Sequence, residues 1–444
     1  WLIEASLTAS LQIPRAQEVN NDTATEKRPL ATDQVPATYE MLLAEAIRVG
    51  DYLYEQAFKG ANDAQWMALK TEDDNTLRLM PMYYDLFSGA MGEILFLAYL
   101  HKVTGNEKYR TLAENALNGL LKRIEYGQES IRPLGLFAGW GSVIYALTHL
   151  AKLWNRQDLV QHVERLYDTL PLDALMEADK SFSLVKGSAG FVAASLVFYQ
   201  TFGHKKALQR AKDVADYLLL QADRQESGIG WRIASKVPLA GMSHGASGFA
   251  LVYQRLFEIS GERRYRDAVT DILRYERSLY NEARQNWRDC RDAVQMLYPD
   301  QHVFSTGWAH GAPGIGLARL ELLKGNVAEQ AVLEQELTTA LATTLRAGFK
   351  QSHNLTMGSF GSLELLFTYG WQENDPAFLD KSKKIASALL QQIQDTGWNC
   401  GLPNKLLTPG FMTGVTGIGY QCLRMAAPEQ VPSILLTQSP FQTI

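Results

Sequence analysis

Apolar runs recur along the chain, each opened by a glycine turn and separated from the next by a longer stretch of mixed polarity. The clearest copy is residues 305–320, STGWAHGAPGIGLARL. The others are SGAMGEILFLAYL from Ser88, AGWGSVIYALTHL from Ala138, KGSAGFVAASLVFY from Lys186, HGASGFALVYQRL from His244, MGSFGSLELLFTYG from Met357 and TGVTGIGYQCLRM from Thr413. Their first glycines, Gly89, Gly139, Gly187, Gly245, Gly311, Gly358 and Gly414, lie 47 to 66 residues apart. That period accommodates two helices and their connections, so the chain reads as an array of helical hairpins. A second glycine follows three residues later in six copies, and Ser142 replaces it in the second. Glycine suits a place where backbones approach closely at a crowded centre.

The runs after the turns are apolar nearly all round, which predicts buried helices forming an inner ring. The stretches between them, such as 106–123, 206–223 and 263–278, are amphipathic and predict an outer ring with one face toward solvent. The expected fold is all-α, an α/α toroid (a double-layer helical barrel) of seven helical hairpins, with the glycine turns gathered at one end. An open solenoid of the same hairpins is the alternative. It needs polar caps at both ends, and the last repeat is as apolar as the rest.

Residues 1–36 read as an N-terminal segment and linker, the tail of an upstream domain, with a short helix at 1–12 and a polar, proline-bearing stretch at 14–36. Residues 37–444 read as one repeat domain. Residues 39–58 form a first outer helix, 61–79 a short hairpin, and 228–233 an extended segment. The longest irregular stretch, 282–302, carries Asn286, Trp287, Asp289 and Arg291, and a long loop entering an inner helix is a natural carrier of a site. The other reading is that it only closes the array. A second loop spans 397–409, and the tail 432–444 is expected to pack as an extended segment.

Composition changes this picture little. With 46% hydrophobic and 20% charged residues the chain is an ordinary soluble globule. A net charge of −5 argues against a general nucleic-acid surface. Three cysteines, Cys290, Cys400 and Cys422, make no secreted disulfide scaffold. No apolar span reaches membrane length, and the expected location is the cytoplasm.

Chemistry centres on two histidines in equivalent places. His244 and His310 each immediately precede a repeat glycine, so converging turns would bring both imidazoles to a common mouth. They are the candidate catalytic residues, as proton carriers near neutral pH. The alternative is that each caps or hydrogen-bonds the neighbouring turn. Arg319 and Glu364, on inner helices, are candidate cavity-lining and substrate-binding residues that could pair with each other, and Trp308 and Tyr420 join them as candidate substrate contacts. Glu93 is a further carboxyl on an apolar helix whose burial demands partners. Zinc needs three or four His, Cys, Asp or Glu ligands in tetrahedral array, and the turn positions offer no thiolate. Cys400 and Cys422 read as buried structural thiols. Gly314-Ile315-Gly316 has no strand before it and is rejected as a phosphate loop.

At these residues the chain resembles the C-terminal cyclase domain of class II lanthipeptide synthetases, over roughly 38–437. The matching segments are 275–279 (YERSL), Asn286-Trp287, 307–319, 409–420 and 432–436 (PSILL). The resemblance implies a zinc-dependent cyclase that adds cysteine thiols to dehydroamino acids in a precursor peptide, following a dehydratase. The carry-over is uneven. The family's Trp-Cys-His-Gly is here Trp308-Ala309-His310-Gly311, and its Cys-His-Gly is Thr356-Met357-Gly358, so the expected zinc ligands fall on Ala309, Thr356 and Met357. The family's acidic residue falls on Ser183, while its histidine before the fourth turn is kept as His244. Cys400 matches a framework position.

Three functions follow as expectations. The first is a degenerate cyclase-like domain that binds or positions a ribosomally made precursor peptide without zinc-dependent thioether cyclisation, using no cofactor. Its partner is a fused or separate dehydratase, with neither nucleic acid nor membrane. The second is a metal-free enzyme acting on a dehydrated peptide by histidine acid/base chemistry. The third is an unrelated small-molecule enzyme on the same toroid.

Overall fold

The computed structural model describes residues 34–71, 77–127, 131–233, 235–299, 301–325, 329–350 and 352–440. The helix expected at 1–12 and nearly all of the linker expected at 14–36 lie outside them. The amphipathic helix α1 (Tyr39–Gln56) comes first, its Thr38 cap accepting from the Met41 amide. Helices then alternate between all-round apolar and one-sided: α2 (Ala90–Thr104) and α3 (Glu107–Gly127), then α4 (Trp140–Trp154) and α5 (Gln157–Thr169) with the short α6 (Leu172–Ala178). They continue as α7 (Ser188–Phe202) and α8 (Lys205–Leu220), then α9 (Ala246–Ser260) and α10 (Arg263–Ser278), followed by the short α11 (Asp292–Leu297). The series ends with α12 (Ala312–Lys324) and α13 (Gln330–Ala347), α14 (Ser359–Gln372) and α15 (Pro376–Thr396), and α16 (Val415–Ala426).

Each helix after a glycine turn is buried on every side through most of its length, as in α2 from Ala90 to Leu100. These helices pack side by side in the order α2, α4, α7, α9, α12, α14 and α16, and α16 returns to α2. Each also packs against the one-sided helix that follows it. The exception is α16, whose outer partner is α1 from the other end of the chain. Chain start and chain end thus share one hairpin, which locks the ring.

The turns are joined by their backbones as well. The amide of Phe87 donates to the carbonyl of Phe137 (2.8 Å), Phe137 to Val185 (3.2 Å), Val185 to Ser243 (3.2 Å) and Ser243 to Ala309 (3.0 Å). Ala309 then donates to Thr356 (3.0 Å), Thr356 to Met412 (3.2 Å) and Met412 back to Phe87 (2.8 Å). A circuit of this kind has no end to cap, and it excludes the open solenoid. Buried backbone groups need partners, and here each turn supplies its neighbour's.

The second glycines permit this contact. A Cβ on Gly190 would lie 2.1 Å from the Leu136 amide nitrogen and 2.2 Å from the Leu184 carbonyl oxygen, two atoms that are themselves hydrogen-bonded across the ring. Both are backbone and cannot move aside alone. Gly190→Ala is expected to destabilise the domain by roughly 2 kcal/mol, read from the midpoint of urea unfolding at unchanged slope. A variant as stable as the parent would show that the turns do not need this close approach.

The fold is predominantly helical, with one departure from an all-α chain. Among the described residues four short antiparallel ribbons leave the turns and loops: β1 (Phe58–Lys59) with β2 (Ala64–Gln65), β3 (Met67–Thr71) with β4 (Leu77–Pro81), β5 (Asp223–Gln225) with β6 (Gly228–Gly230), and β7 (Tyr280–Asn281) with β8 (Asn286–Trp287). The expected hairpin at 61–79 and extended segment at 228–233 fall on these ribbons, and the tip of the former lies outside the described residues. The loop at 282–302 is less irregular than expected, because β8 and α11 lie within it. Among its described residues, 432–440, the tail is not extended. Residues 434–437 turn back into the ring, where Ile434, Leu435 and Leu436 are buried, and Arg255 donates to the carbonyls of Leu436 (2.6 Å) and Thr437 (3.0 Å).

Candidate functional site

Every inner helix begins at the same end of the ring, so the residue just before each turn glycine is carried to the mouth. Lys186, His244 and His310 line one cavity of about 670 Å³, and Ser88, Met357 and Thr413 line a second of about 550 Å³. Ala138 is the one equivalent residue that lines neither. The two cavities adjoin at Arg291 and Ala293, which belong to both. The loop at 282–302 therefore reaches the mouth.

His244 and His310 meet there. Their rings stack with centroids 5.8 Å apart and planes 22° from parallel. His244 Nδ1 shares a hydrogen bond of 2.9 Å with Ser183 Oγ, which is also 2.9 Å from Ser181 Oγ and accepts from the Lys186 amide at 3.3 Å. This small hydroxyl cluster is held by Asp179. Its carboxylate accepts from the amides of Ser181, Phe182 and Ser188 and from the Ser188 hydroxyl, at 2.6–3.1 Å. His310 is 8% exposed, and its Nδ1 has no hydrogen-bond partner among the described residues.

Burial, with the positive charges of Lys186 and Arg291 behind it, pushes His244 down to about 4. Burial, then Arg291 and His244, pushes His310 well below the ordinary histidine value. Both imidazoles are therefore neutral at pH 7, and His244 is a weaker base than a free histidine.

The other expected contact residues sit deeper, and none of the four lines either cavity. Arg319 has no exposed surface and pairs with Glu276 (2.8 Å) and Glu336 (2.6 Å), not with Glu364. Glu276 in turn accepts from the Gly241 amide (2.9 Å) and the Ser247 amide (3.2 Å), bracing the turn that carries His244. Glu364 is fully buried against Gln421 (2.6 Å), Arg424 (2.7 Å) and Ser433, and so ties the tail to α14. The Trp308 indole donates to the Leu435 carbonyl (3.3 Å), and the Tyr420 hydroxyl donates to the Pro432 carbonyl (2.9 Å).

The residues present do not fit zinc. At the expected ligand positions Ala309 offers a methyl group. The Thr356 hydroxyl bonds Asn354 Oδ1 at 3.0 Å, and Met357 offers only a thioether. The three cysteines are buried and separate: burial pushes the Cys400 thiol up to about 11, and Cys422 lies inside α16. Among the described residues no group of three His, Cys, Asp or Glu side chains could hold a metal ion.

Sequence reasoning missed Arg132, Lys180 and Lys186 as neighbours of the histidines. For Lys186 the signal was available, since it occupies the same place before its glycine as His244 and His310.

The profile of the family described as "Lanthionine synthetase C-like protein" matches residues 80–436. The "Lacticin 481/lactococcin biosynthesis protein LcnDR2" of Lactococcus lactis subsp. lactis is 22% identical over 416 residues, spanning 89% of this chain but only 42% of that protein. Among solved structures, "Nisin cyclase" superposes with a TM-score of 0.58 at 15% identity, covering 80% of this chain and 92% of that one, a likeness of fold alone. No helix among the described residues is long and apolar enough to cross a membrane. The profile match over most of the chain places this protein in the lanthionine synthetase C-like family.

Proposed function

We propose that the chain is a degenerate cyclase-like domain of a class II lanthipeptide synthetase, built as a seven-hairpin toroid, that binds or positions a ribosomally made precursor peptide without zinc-dependent thioether cyclisation. The carrying observation is the pairing of an intact two-cavity mouth with Ala309, Thr356 and Met357 at the ligand positions. A free thiol has a pKa near 8.5, so without a metal only a few per cent is thiolate at neutral pH. The biosynthetic role in the name of the Lactococcus relative supports a peptide partner, with a dehydratase, fused or separate, as the second partner and the cytoplasm as the location.

A second reading, a metal-free enzyme using His244 and His310 for acid/base chemistry, is favoured by the His244–Ser183 contact. A conjugate acid near 4 works against it, since a base is most effective when its pKa lies near the working pH.

The test uses a dehydrated peptide that keeps one cysteine, with zinc supplied and then chelated. Binding by calorimetry is expected in both conditions, and the thiol is expected to stay open to alkylation, counted by mass. His244→Gln is expected to leave the affinity within about twofold. Zinc-dependent, selective loss of the alkylatable thiol would overturn the proposal, and metal-independent loss abolished by His244→Gln would establish the second reading instead.

A further inference from the structure

The first cavity carries a charge pattern that the reading above does not use. Arg132, Lys180, Lys186 and Arg291 line it, against Asp179 and Asp292. The carboxylates are already engaged: Asp179 by its four donors, and Asp292 by the Lys236 amide at 3.2 Å. Arg291 is held by Asp289 in a two-pronged pair, and Lys180 donates to the Glu177 carbonyl. Arg132 and Lys186 are exposed and, among the described residues, enter no ion pair. The buried His310, whose Nδ1 has no hydrogen-bond partner among the described residues, also lines it. The cavity therefore holds surplus positive charge beside polar groups that protein partners leave unfilled. The adjoining cavity is mixed in character, with Phe87, Val303 and Met357 beside Asn354, Thr356 and Lys350.

We propose that the first cavity is a binding site for an anionic side chain of the bound peptide, a carboxylate or a phosphate ester, held between Lys186 and Arg132 above His310. This rests on the peptide-binding reading. Cations that face a ligand without a competing carboxylate form the charge-assisted hydrogen bonds that recognise such groups. Burial is the main reason both imidazoles stay neutral, and Arg291 adds to it at each, with Lys186 adding to it at His244.

The test is calorimetric binding of three heptapeptides, Ala-Leu-Gly-Xaa-Gly-Leu-Ala, with serine, glutamate or phosphoserine at Xaa. The anionic peptides are expected to bind about tenfold tighter than the serine peptide in low salt, with inorganic phosphate competing only against them. The double variant Lys186→Gln, Arg132→Gln removes two side chains that no ion pair needs for folding. It is expected to erase that preference, so that the three peptides bind the variant alike. Tighter binding of phosphoserine than glutamate identifies a phosphate ester as the source, and equal binding identifies a carboxylate. Equal affinity of all three peptides for the unaltered protein overturns the anion site and leaves peptide binding standing. Failure of every peptide to bind overturns both.

Discussion

Arg319→Met is expected to destabilise the domain by about 3–5 kcal/mol at pH 7, the usual consequence of removing one partner of a buried ion pair. The guanidinium is fully buried between Glu276 and Glu336, and Glu336 is shared with Arg277 at 2.6 Å. Methionine fills much of the volume but leaves the Glu276 carboxylate in the protein interior with no cation against it. Glu276 cannot turn away, because its Oε1 accepts from both the Gly241 and Ser247 amides of the His244 turn. Total stabilities of single domains are about 5–15 kcal/mol, so the variant should unfold at markedly lower denaturant. The pH dependence gives an internal check. Burial alone would raise Glu336, but Arg319 and Arg277 outweigh it and hold the carboxyl below its ordinary value. A depressed carboxyl contributes stability above its unfolded pKa and loses it as pH falls through the folded one. The gap between parent and variant should therefore narrow on acidification below the ordinary glutamate range. Adding Glu276→Gln to Arg319→Met keeps an acceptor for the two amides without the stranded charge, and should recover part of the loss. Urea unfolding of the three proteins at pH 7 and pH 4 checks all of this, and a single variant as stable as the parent would show that the network is not needed.

The same residue shows where the sequence stops informing. The period of the glycine turns revealed the ring, because every copy must solve the same packing problem and so repeats its solution. It also revealed the mouth, since residues equivalent within a repeat become neighbours once the ring closes, as His244 and His310 do. What distinguishes one sector from the next was hidden. Arg319 and Glu364 both read as ionisable groups on apolar helices, but their partners lie 43 and 60 residues away, at Glu276 and Arg424, on elements whose facing depends on helix rotation. Arg132 and Lys180 reach the cavity from stretches outside the repeat, where no periodicity could place them. The tail was misread because PSILL looks extended by composition, whereas the need to fill the ring's interior turns it back on itself.

Glu93→Gln should remove a pH dependence that the parent protein carries near neutrality. Glu93 lies on α2 with no exposed surface, and Oε1 accepts from the Gly410 amide (2.5 Å) and the Thr416 hydroxyl (3.0 Å), while Oε2 has no partner among the described residues. Burial pushes the carboxyl up to about 8; the two hydrogen bonds oppose the rise without cancelling it, and nearby Asp85 adds to it. The sign is opposite to that of Glu336. A carboxyl whose folded pKa is raised keeps its proton in the folded state over a range where the unfolded chain has released it. Folding then binds a proton, and stability falls as pH rises from about 4.5 toward 8. At 1.36 kcal/mol for each unit of pKa, the loss across that window is of order 4 kcal/mol. Glutamine keeps an acceptor for Gly410 and Thr416 and cannot ionise. The variant should match the parent near pH 5 and exceed it in stability by about 3–4 kcal/mol at pH 8, with other titrating groups cancelling in the difference. The consequence reaches the site, because Glu93 braces the turn that brings Thr408 and Thr413 to the second cavity. An ionised Glu93 would loosen that wall, so peptide affinity in the parent should weaken above pH 8 and stay level in the variant. Unfolding curves for the two proteins that run parallel from pH 5 to pH 8 would show that this carboxyl titrates normally, and that water reaches it.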